Sequence, residues 1–279
     1  GLSLIQALNV GGTAIIARYF GAKKFNRMGN ILKHVMILAM IFCVTPAAIL
    51  MLLFAPEILS LLGGDATVIN VGVDYFRIVT IGFIFQSLSF TVTAALRGIG
   101  ETKIPMKNNI IANSCNVVGN AILIYGMFGL PALGVTGAAI ATALSNFIAM
   151  VLNVRYILSG KSVLKLDFKE KFEFSVDVMR DLVRIGIPTA LEQLALRFGV
   201  IMFLKIVSGL GNNVYAAHQI ALNVLSLSYS PAQAFGITAS SLMGRSLGAK
   251  DEKLAERYTK MCQQIGLALA IMMSTSIYF

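Results

Sequence analysis

The sequence predicts an all-α polytopic membrane protein built as two pseudo-symmetric six-helix lobes, the first nearly complete and the second truncated. Three observations carry that reading: more apolar residues than a soluble domain can bury, apolar runs of helix length, and basic loops that return at every second connection. Apolar residues make up 57% of the 279 residues and charged residues 13%, against about 45–50% and about 25% in soluble domains. Mean hydropathy is +0.78. A chain in lipid must satisfy its backbone polar groups internally, which leaves helices or a closed barrel, and uninterrupted apolar runs exclude the barrel's period of two.

Taken in order, stretches of about 20 apolar residues, the length that crosses a bilayer, predict the tail of one helix before Tyr19. Further spans follow near Ile31 to Leu53, Val68 to Leu96, Met106 to Phe128, Thr136 to Leu158, Val183 to Ser208, Val214 to Leu242 and Ala255 to Phe279. Several exceed what a bilayer needs, which permits tilt or extension beyond it. The chain opens on Gly1 and stops at Phe279 inside an apolar run, so it is expected to be cut at both ends.

The connections fall into two kinds. One is basic, with Arg18, Lys23, Lys24, Arg27 and Lys33; Arg97, Lys103 and Lys107; Arg155, Lys161, Lys165, Lys169, Lys171, Arg180 and Arg184; and Arg245, Lys250, Lys253, Arg257 and Lys260. The other, Ala55 to Asp65, Gly129 to Val135 and Gly209 to Asn213, has no lysine or arginine. Their strict alternation, under the positive-inside rule, predicts a multi-pass protein of the plasma (inner) membrane with its basic loops in the cytoplasm. A nucleic-acid binder would gather its charge into a patch, so the net +10 is read as topology and nucleic acid is not expected as a partner.

The longest polar stretch, Ser159 to Arg180, mixes basic, acidic and apolar residues, as an amphipathic interfacial linker would. It divides the chain into a first lobe at 1–158, a linker at 159–182 and the start of a second lobe at 183–279. Cys43, Cys115 and Cys262 stand apart in apolar segments without metal-ligand spacing and read as small buried hydrophobes. With His34 and His218 as the only histidines and no clustered Asp, Glu or Cys, neither a metal site nor a nucleophilic one is assembled. The chain is not expected to be an enzyme or to need a cofactor.

An internal repeat supports the two-lobe architecture. Gln6, Ala7, Arg18, Gly21, Ala22 and Lys23 recur as Gln233, Ala234, Arg245, Gly248, Ala249 and Lys250, at one offset of 227 positions from Gly21 to Gly248, and Ser3/Ser230 and Lys33/Lys260 extend the match. Both copies fall at the basic end of a span, so the repeat is parallel, with its axis along the bilayer normal. Six helix-to-helix steps separate the copies, giving twelve helices for a full chain, of which this one lacks the first and part of the second and ends within the ninth.

An ionisable side chain in hydrocarbon costs about 2.5–3.5 kcal/mol on insertion scales, which makes each one a functional candidate. Asp74, Arg77 and Lys205 lie near helix ends, where long side chains snorkel. Glu192 lies about eight residues past Arg184, roughly 12 Å into its span, and Pro188, one turn earlier, removes a backbone donor and frees carbonyls nearby. Arg197 points about 140° away from it around the helix, so a permanent pair between the two is disfavoured. A carboxylate so placed is neutralised by sodium or a proton and competes for a cationic substrate, which makes it a coupling device. Gln193, Arg197, Gln219 and Asn223 are candidate cavity residues in the same lobe, although polar residues also serve as interhelical hydrogen bonds. In the first lobe Asn116 and Asn120 share one helix face.

Gly21-Ala-Lys23, Leu96-Arg-Gly-Ile-Gly-Glu-Thr-Lys-Ile-Pro-Met106, Gly134-Val-Thr-Gly-Ala-Ala-Ile-Ala-Thr142 and Ala216-Ala-His-Gln-Ile-Ala-Leu-Asn223, in this order and spacing, resemble the multidrug and toxic compound extrusion (MATE) family over nearly the whole chain. The resemblance implies a transporter of two six-helix lobes around a central cavity, a secondary active antiporter that exports organic cations or drugs in exchange for inward Na+ or H+ by alternating access. It also implies a cation-site role for Glu192, and a polar pocket in which Thr142 joins Asn116 and Asn120. Asn120 stands where the family carries Asp or Asn and has no proton to give, which favours the second lobe as the coupling site. Na+ at Glu192 is the only metal expected, the lipid bilayer and a small organic cation are the partners, and the protein is expected to be a monomer. The alternative is a lipid-linked oligosaccharide flippase of the same broad architecture, which would want several cations for pyrophosphate, whereas Arg197 is the one deep basic candidate. The small residues at Gly134 to Ala143 serve close helix packing, and His218 is read as a packing residue.

Overall fold

A computed structural model describes residues 2–61, 66–129, 131–166, 173–209 and 211–278; Asp65, Lys169 and Lys171 of the loops read above lie outside the described residues. Among the described residues the chain is helical, without strands. Its elements are α1 (Leu2–Gly21), α2 (Phe25–Leu38), α3 (Thr45–Leu53), α4 (Ala55–Leu61), α5 (Ala66–Gly98), α6 (Lys103–Tyr125), α7 (Gly134–Leu158), α8 (Val176–Ser208), α9 (Asn212–Gly248) and α10 (Glu252–Tyr278).

Local chemistry sets several of the boundaries. A π-helical segment at Ala39–Val44 joins α2 to α3, and Pro46 stands just beyond it. Proline has no N–H for the carbonyl four residues back, so the hydrogen-bond ladder widens there instead of breaking. The connection after Leu53, which the sequence shows only as a loop without basic residues, contains the short helix α4 with Pro56 in its first turn, a position that proline tolerates. Gly126 ends α6 in the left-handed region at φ 71°, its N–H donating to the Ile122 carbonyl at 3.0 Å. The Ser175 hydroxyl accepts from Val178 N–H at 3.5 Å to start α8, and Asp251 does the same for Leu254 N–H at 2.9 Å at the start of α10. α8 and α9 run unbroken through Pro188 and Pro231.

Among the described residues three segments, Phe25–Leu53, Gly72–Gly98 and Gly134–Leu158, are long and apolar enough to cross a membrane. Large apolar side chains face outward on α2–α3, α6 and α8, with Phe42, Leu53, Val117 and Leu191 all more than half exposed. A soluble monomer rarely presents so much contiguous apolar surface, whereas hydrocarbon solvates it.

α5 packs along α7, α6 along α7, and α9 along α10, while α1 lies against α5, α8 and α9. The main core gathers at the basic end of the bundle: Ile16 of α1, Met28 and Leu32 of α2, Leu96 of α5, Ile157 of α7 and Leu182 of α8 are all nearly inaccessible. The connection after α7 feeds the same core, since Leu164 and Leu166 are buried in it and Ser162 lies beside them in sequence at 2% exposure. His34, itself buried, ties this connection down: its Nε2 accepts from Ser175 N–H at 3.0 Å, which leaves Nδ1 to donate to the Asn30 carbonyl at 2.8 Å.

Candidate functional site

The repeat seen in the sequence is also a repeat in space. Lys23 and Lys250 are the non-glycine residues of positive φ among the described residues, at 57° and 61°, and they are repeat partners. Their turns match bond for bond: Ala22 N–H donates to the Arg18 carbonyl and Ala249 N–H to that of Arg245, while Lys24 N–H reaches Tyr19 and Asp251 N–H reaches Ser246, each at 3.0 Å.

The two copies also meet. α1 and α9 cross so closely that a Cβ on Gly21 would overlap the Arg245 carbonyl oxygen and one on Gly248 would overlap that of Arg18. A Cβ on Gly244 would stand 2.9 Å from that of Ala17. Around the crossing, the Arg245 guanidinium lies 4.8 Å over the Phe20 ring, and the Ser241 hydroxyl contacts the Arg97 and Gly98 carbonyls at 2.8 and 3.2 Å, capping the end of α5 from α9.

One to three turns from the crossing, toward the other end of α1 and α9, the helices part around a cavity of about 370 Å³. Its walls are repeat partners: Gln6 with Gln233, Asn9 with Gly236, Val10 with Ile237, and Thr13 with Ser240. Thr93 and Arg97 of α5, Asn109 of α6 and Gln193 of α8 complete its polar surface. Thr13 is held by a 3.1 Å bond from its hydroxyl to the Ala94 carbonyl. Asn9 is 7% exposed, and its amide oxygen has no hydrogen-bond partner.

Of the site residues expected from the sequence, Gln193 lines this cavity. Asn116, Asn120 and Thr142 are brought together elsewhere, between α6 and α7: Asn116 Nδ2 lies 3.4 Å from both the Thr142 and Ser145 hydroxyls, and Asn120 Nδ2 donates to Asn116 Oδ1 at 3.1 Å. Glu192, Arg197 and Asn223 are exposed along α8 and α9 and do not line the cavity. Gln219 donates to the Tyr215 hydroxyl at 3.0 Å, and His218 packs on Phe203 with ring centroids 5.1 Å apart.

Two features escaped sequence reasoning. One is Asn153, fully buried, which accepts from Asn108 at 2.8 Å and donates to Ser89 at 2.9 Å and Thr93 at 3.3 Å, stitching α5, α6 and α7 together. The other is the cavity set at Asn9, Thr13 and Arg97. The repeat held its signal, because the equivalent faces of a parallel repeat look at each other across the pseudo-axis.

A family model described as MatE matches residues 1–122 and 188–279. The chain belongs to the MatE family. Two similar MatE relatives are the probable multidrug resistance protein YoeA of Bacillus subtilis, 28% identical over 256 residues, and the probable multidrug resistance protein NorM of Thermotoga maritima, 28% identical over 258; each match covers 90% of this chain and 54% of the relative. Among solved structures, a MATE in the bent conformation superposes with a TM-score of 0.82 at 23% identity, covering 99% of this chain and 60% of that one. The outward-facing conformation of a multidrug resistance MATE family transporter of the MOP superfamily gives 0.82 at 22% identity, covering 99% and 59%. The chain thus spans a little over half the length of the MatE proteins it matches, and it is an integral membrane protein with their all-α fold.

Proposed function

We propose that this chain is the larger part of a secondary active antiporter that exports organic cations or drugs in exchange for inward Na+ or H+. The observation that carries this is the polar cavity between the two repeat copies, which lies beside the close crossing of α1 and α9. A polar cavity at the interface between two repeats is where alternating-access transporters hold their substrate. The names of the relatives as multidrug resistance proteins supply the substrate class. In this reading residues 1–158 form the first lobe, 159–182 the connection and 183–279 the start of the second, the basic loops are cytoplasmic, and the protein works as a monomer in the inner membrane.

Glu192 is the coupling residue of this proposal. Residues 191–206 of α8 are largely exposed in this chain, and the longer relatives have further sequence to cover that face, where a carboxylate would be removed from water. An inward cation neutralises it there, and a cationic substrate sharing the charge is released. Asn116, Asn120 and Thr142 form a second polar cluster that stabilises the first lobe or takes part in transport. The flippase reading wants several cations for pyrophosphate, and the cavity offers Arg97 alone among its described lining residues.

The test is efflux of a fluorescent organic cation from proteoliposomes of the full-length protein under an imposed Na+ or H+ gradient. Native protein exports and Glu192→Gln, folded, does not; full gradient-driven efflux by the variant refutes the role of Glu192.

A further inference from the structure

We infer that a groove on α10 is the seat of the protein's own tail, the segment that follows the last helix of the second lobe in the full-length protein, and that this segment sets a carboxylate against Arg257. The inference rests on the reading of two parallel lobes and goes beyond it by assigning a partner to a surface outside the cavity.

α10 is the repeat partner of α2. The offset that relates Gly21 to Gly248 carries Phe25, the first residue of α2, onto Glu252, the first residue of α10. Burial keeps the same register, with Met28 and Val35 turned inward on α2 and Ala255 and Cys262 on α10. The adjoining face of α2 carries the connection that leaves the last helix of the first lobe. There Asn30 Nδ2 donates to the Glu173 carbonyl at 2.7 Å, and His34 Nε2 accepts from Ser175 N–H at 3.0 Å. The Phe174 ring lies 5.7 Å from that of His34 between centroids, and Gly29 leaves room for the Lys165 carbonyl, which a Cβ would overlap. So covered, His34 is 1% exposed.

The equivalents on α10 are Glu256, Arg257 and Met261. All three are exposed, Met261 at 46%. They lie in an open groove of about 350 Å³ whose other lining residues are Lys253, Lys260 and Gln264. In a parallel repeat, equivalent faces meet equivalent segments, and the segment equivalent to 159–175 is the one that leaves the last helix of the second lobe. The relatives run well beyond the match, which covers 54% of their length, so a chain of their size has sequence to supply it.

The side chains show how this second strap differs from the first. Glu256 stands in place of Gly29, so the backbone cannot come as close and the space falls to side chains. Asn30 and His34, which take main-chain partners, give way to Arg257 and Met261. The first offers a planar fork suited to a carboxylate, the second a flexible thioether that adapts to an apolar neighbour. Lys253 adds a cation beside Arg257, whereas Lys260 is already held by Glu256 at 2.6 Å. The groove is thus complementary to a segment with an acidic residue next to an apolar one.

The test labels full-length protein carrying Met261→Cys, its native cysteines replaced by alanine, with a hydrophilic maleimide in nanodiscs of phosphatidylcholine. Deleting the segment after the last helix raises the labelling rate about tenfold, and Arg257→Glu in the undeleted protein raises it about as much. Lys24→Cys, at an exposed turn outside the groove, is labelled equally fast in all forms. Equal labelling at Met261→Cys with and without the segment overturns the inference, and a parallel rise at Lys24→Cys marks general loosening and overturns it as well. So does protection that survives the deletion and appears only when phosphatidylglycerol is added to the nanodisc, which makes the occupant an anionic lipid. Labelling needs no ion gradient: protection by the segment without drug efflux keeps this inference and removes the transport reading, while drug efflux with equal labelling does the reverse.

Discussion

Gly21 lays its bare α-carbon against the backbone carbonyl of Arg245, and its repeat partner Gly248 does the same against Arg18. No side chain fits at either place, so the approach of α1 to α9 is set by backbone alone, as small residues permit between membrane helices. Enlarging either glycine must push the helices apart at the basic end of the bundle, beside the cavity. Overpacking of this kind costs about 1–3 kcal/mol, enough to shift a balance of two conformations about fivefold or more.

Gly248→Val is therefore expected to favour the state open at the basic end. Introduced with a Thr13→Cys reporter in the full-length protein, it should raise the rate at which a membrane-impermeant thiol reagent labels that cysteine from the face bearing the basic loops about tenfold. Unchanged labelling would remove the crossing from the gate.

Ser241 links α9 to the end of α5 through the Arg97 and Gly98 carbonyls. Interhelical bonds of this sort contribute about 0.6 kcal/mol in membranes. Ser241→Ala should thus raise the same labelling about two- to threefold, well below the effect of Gly248→Val, with little change in thermal stability.

Asn153 is a different case, because its removal strands partners on two other helices. Asn153→Leu leaves the buried amide of Asn108 and the hydroxyl of Ser89 without their bonds, and the full-length protein in detergent should lose about 1–2 kcal/mol of stability, read as a lower unfolding temperature. Ser89→Ala, which breaks one bond of the set, should lose less than half as much.

His34 joins α2 to the segment that leads into α8 by accepting from Ser175 N–H. His34→Ala should open the 159–175 connection to protease several times faster than native protein. His34→Gln, which carries both a donor and an acceptor, should recover part of the protection.

The orientation has its own measurement. Cysteines placed in 209–213 should react with an external impermeant reagent in intact cells and those placed in 161–165 should not; the opposite pattern would turn the protein over in the membrane.

The helices were legible because hydrocarbon demands long apolar runs and because basic loops recur at every second connection. The repeat was legible because its turn needs Gly21 and Gly248 at the contact and because Lys23 and Lys250 follow in an uncommon backbone conformation, a local requirement that sequence preserves. Helix faces were harder. Polar and apolar residues are spread around α5 without a helical period, so nothing in its sequence tells the side of Ser89 and Thr93, which meets Asn153, from the side facing lipid. Glu192 stood out because a carboxylate is costly anywhere in a span. Asn9 and Thr13 did not, since neutral polar residues are cheap enough to pass for packing groups until the neighbouring helix is in place. The inward tuck of Leu164 and Leu166 was hidden for a related reason: alternation of charge and apolar residues suits a membrane surface and a protein groove equally.

A surface patch that binds its own copy by a half-turn is the contact of a two-fold dimer, residue i on j and j on i. Arg18 to Gly248 and Gly21 to Arg245 have that reciprocity within one polypeptide. Two separate half-length chains could meet through this same surface, with the connection between them serving only to hold the halves together.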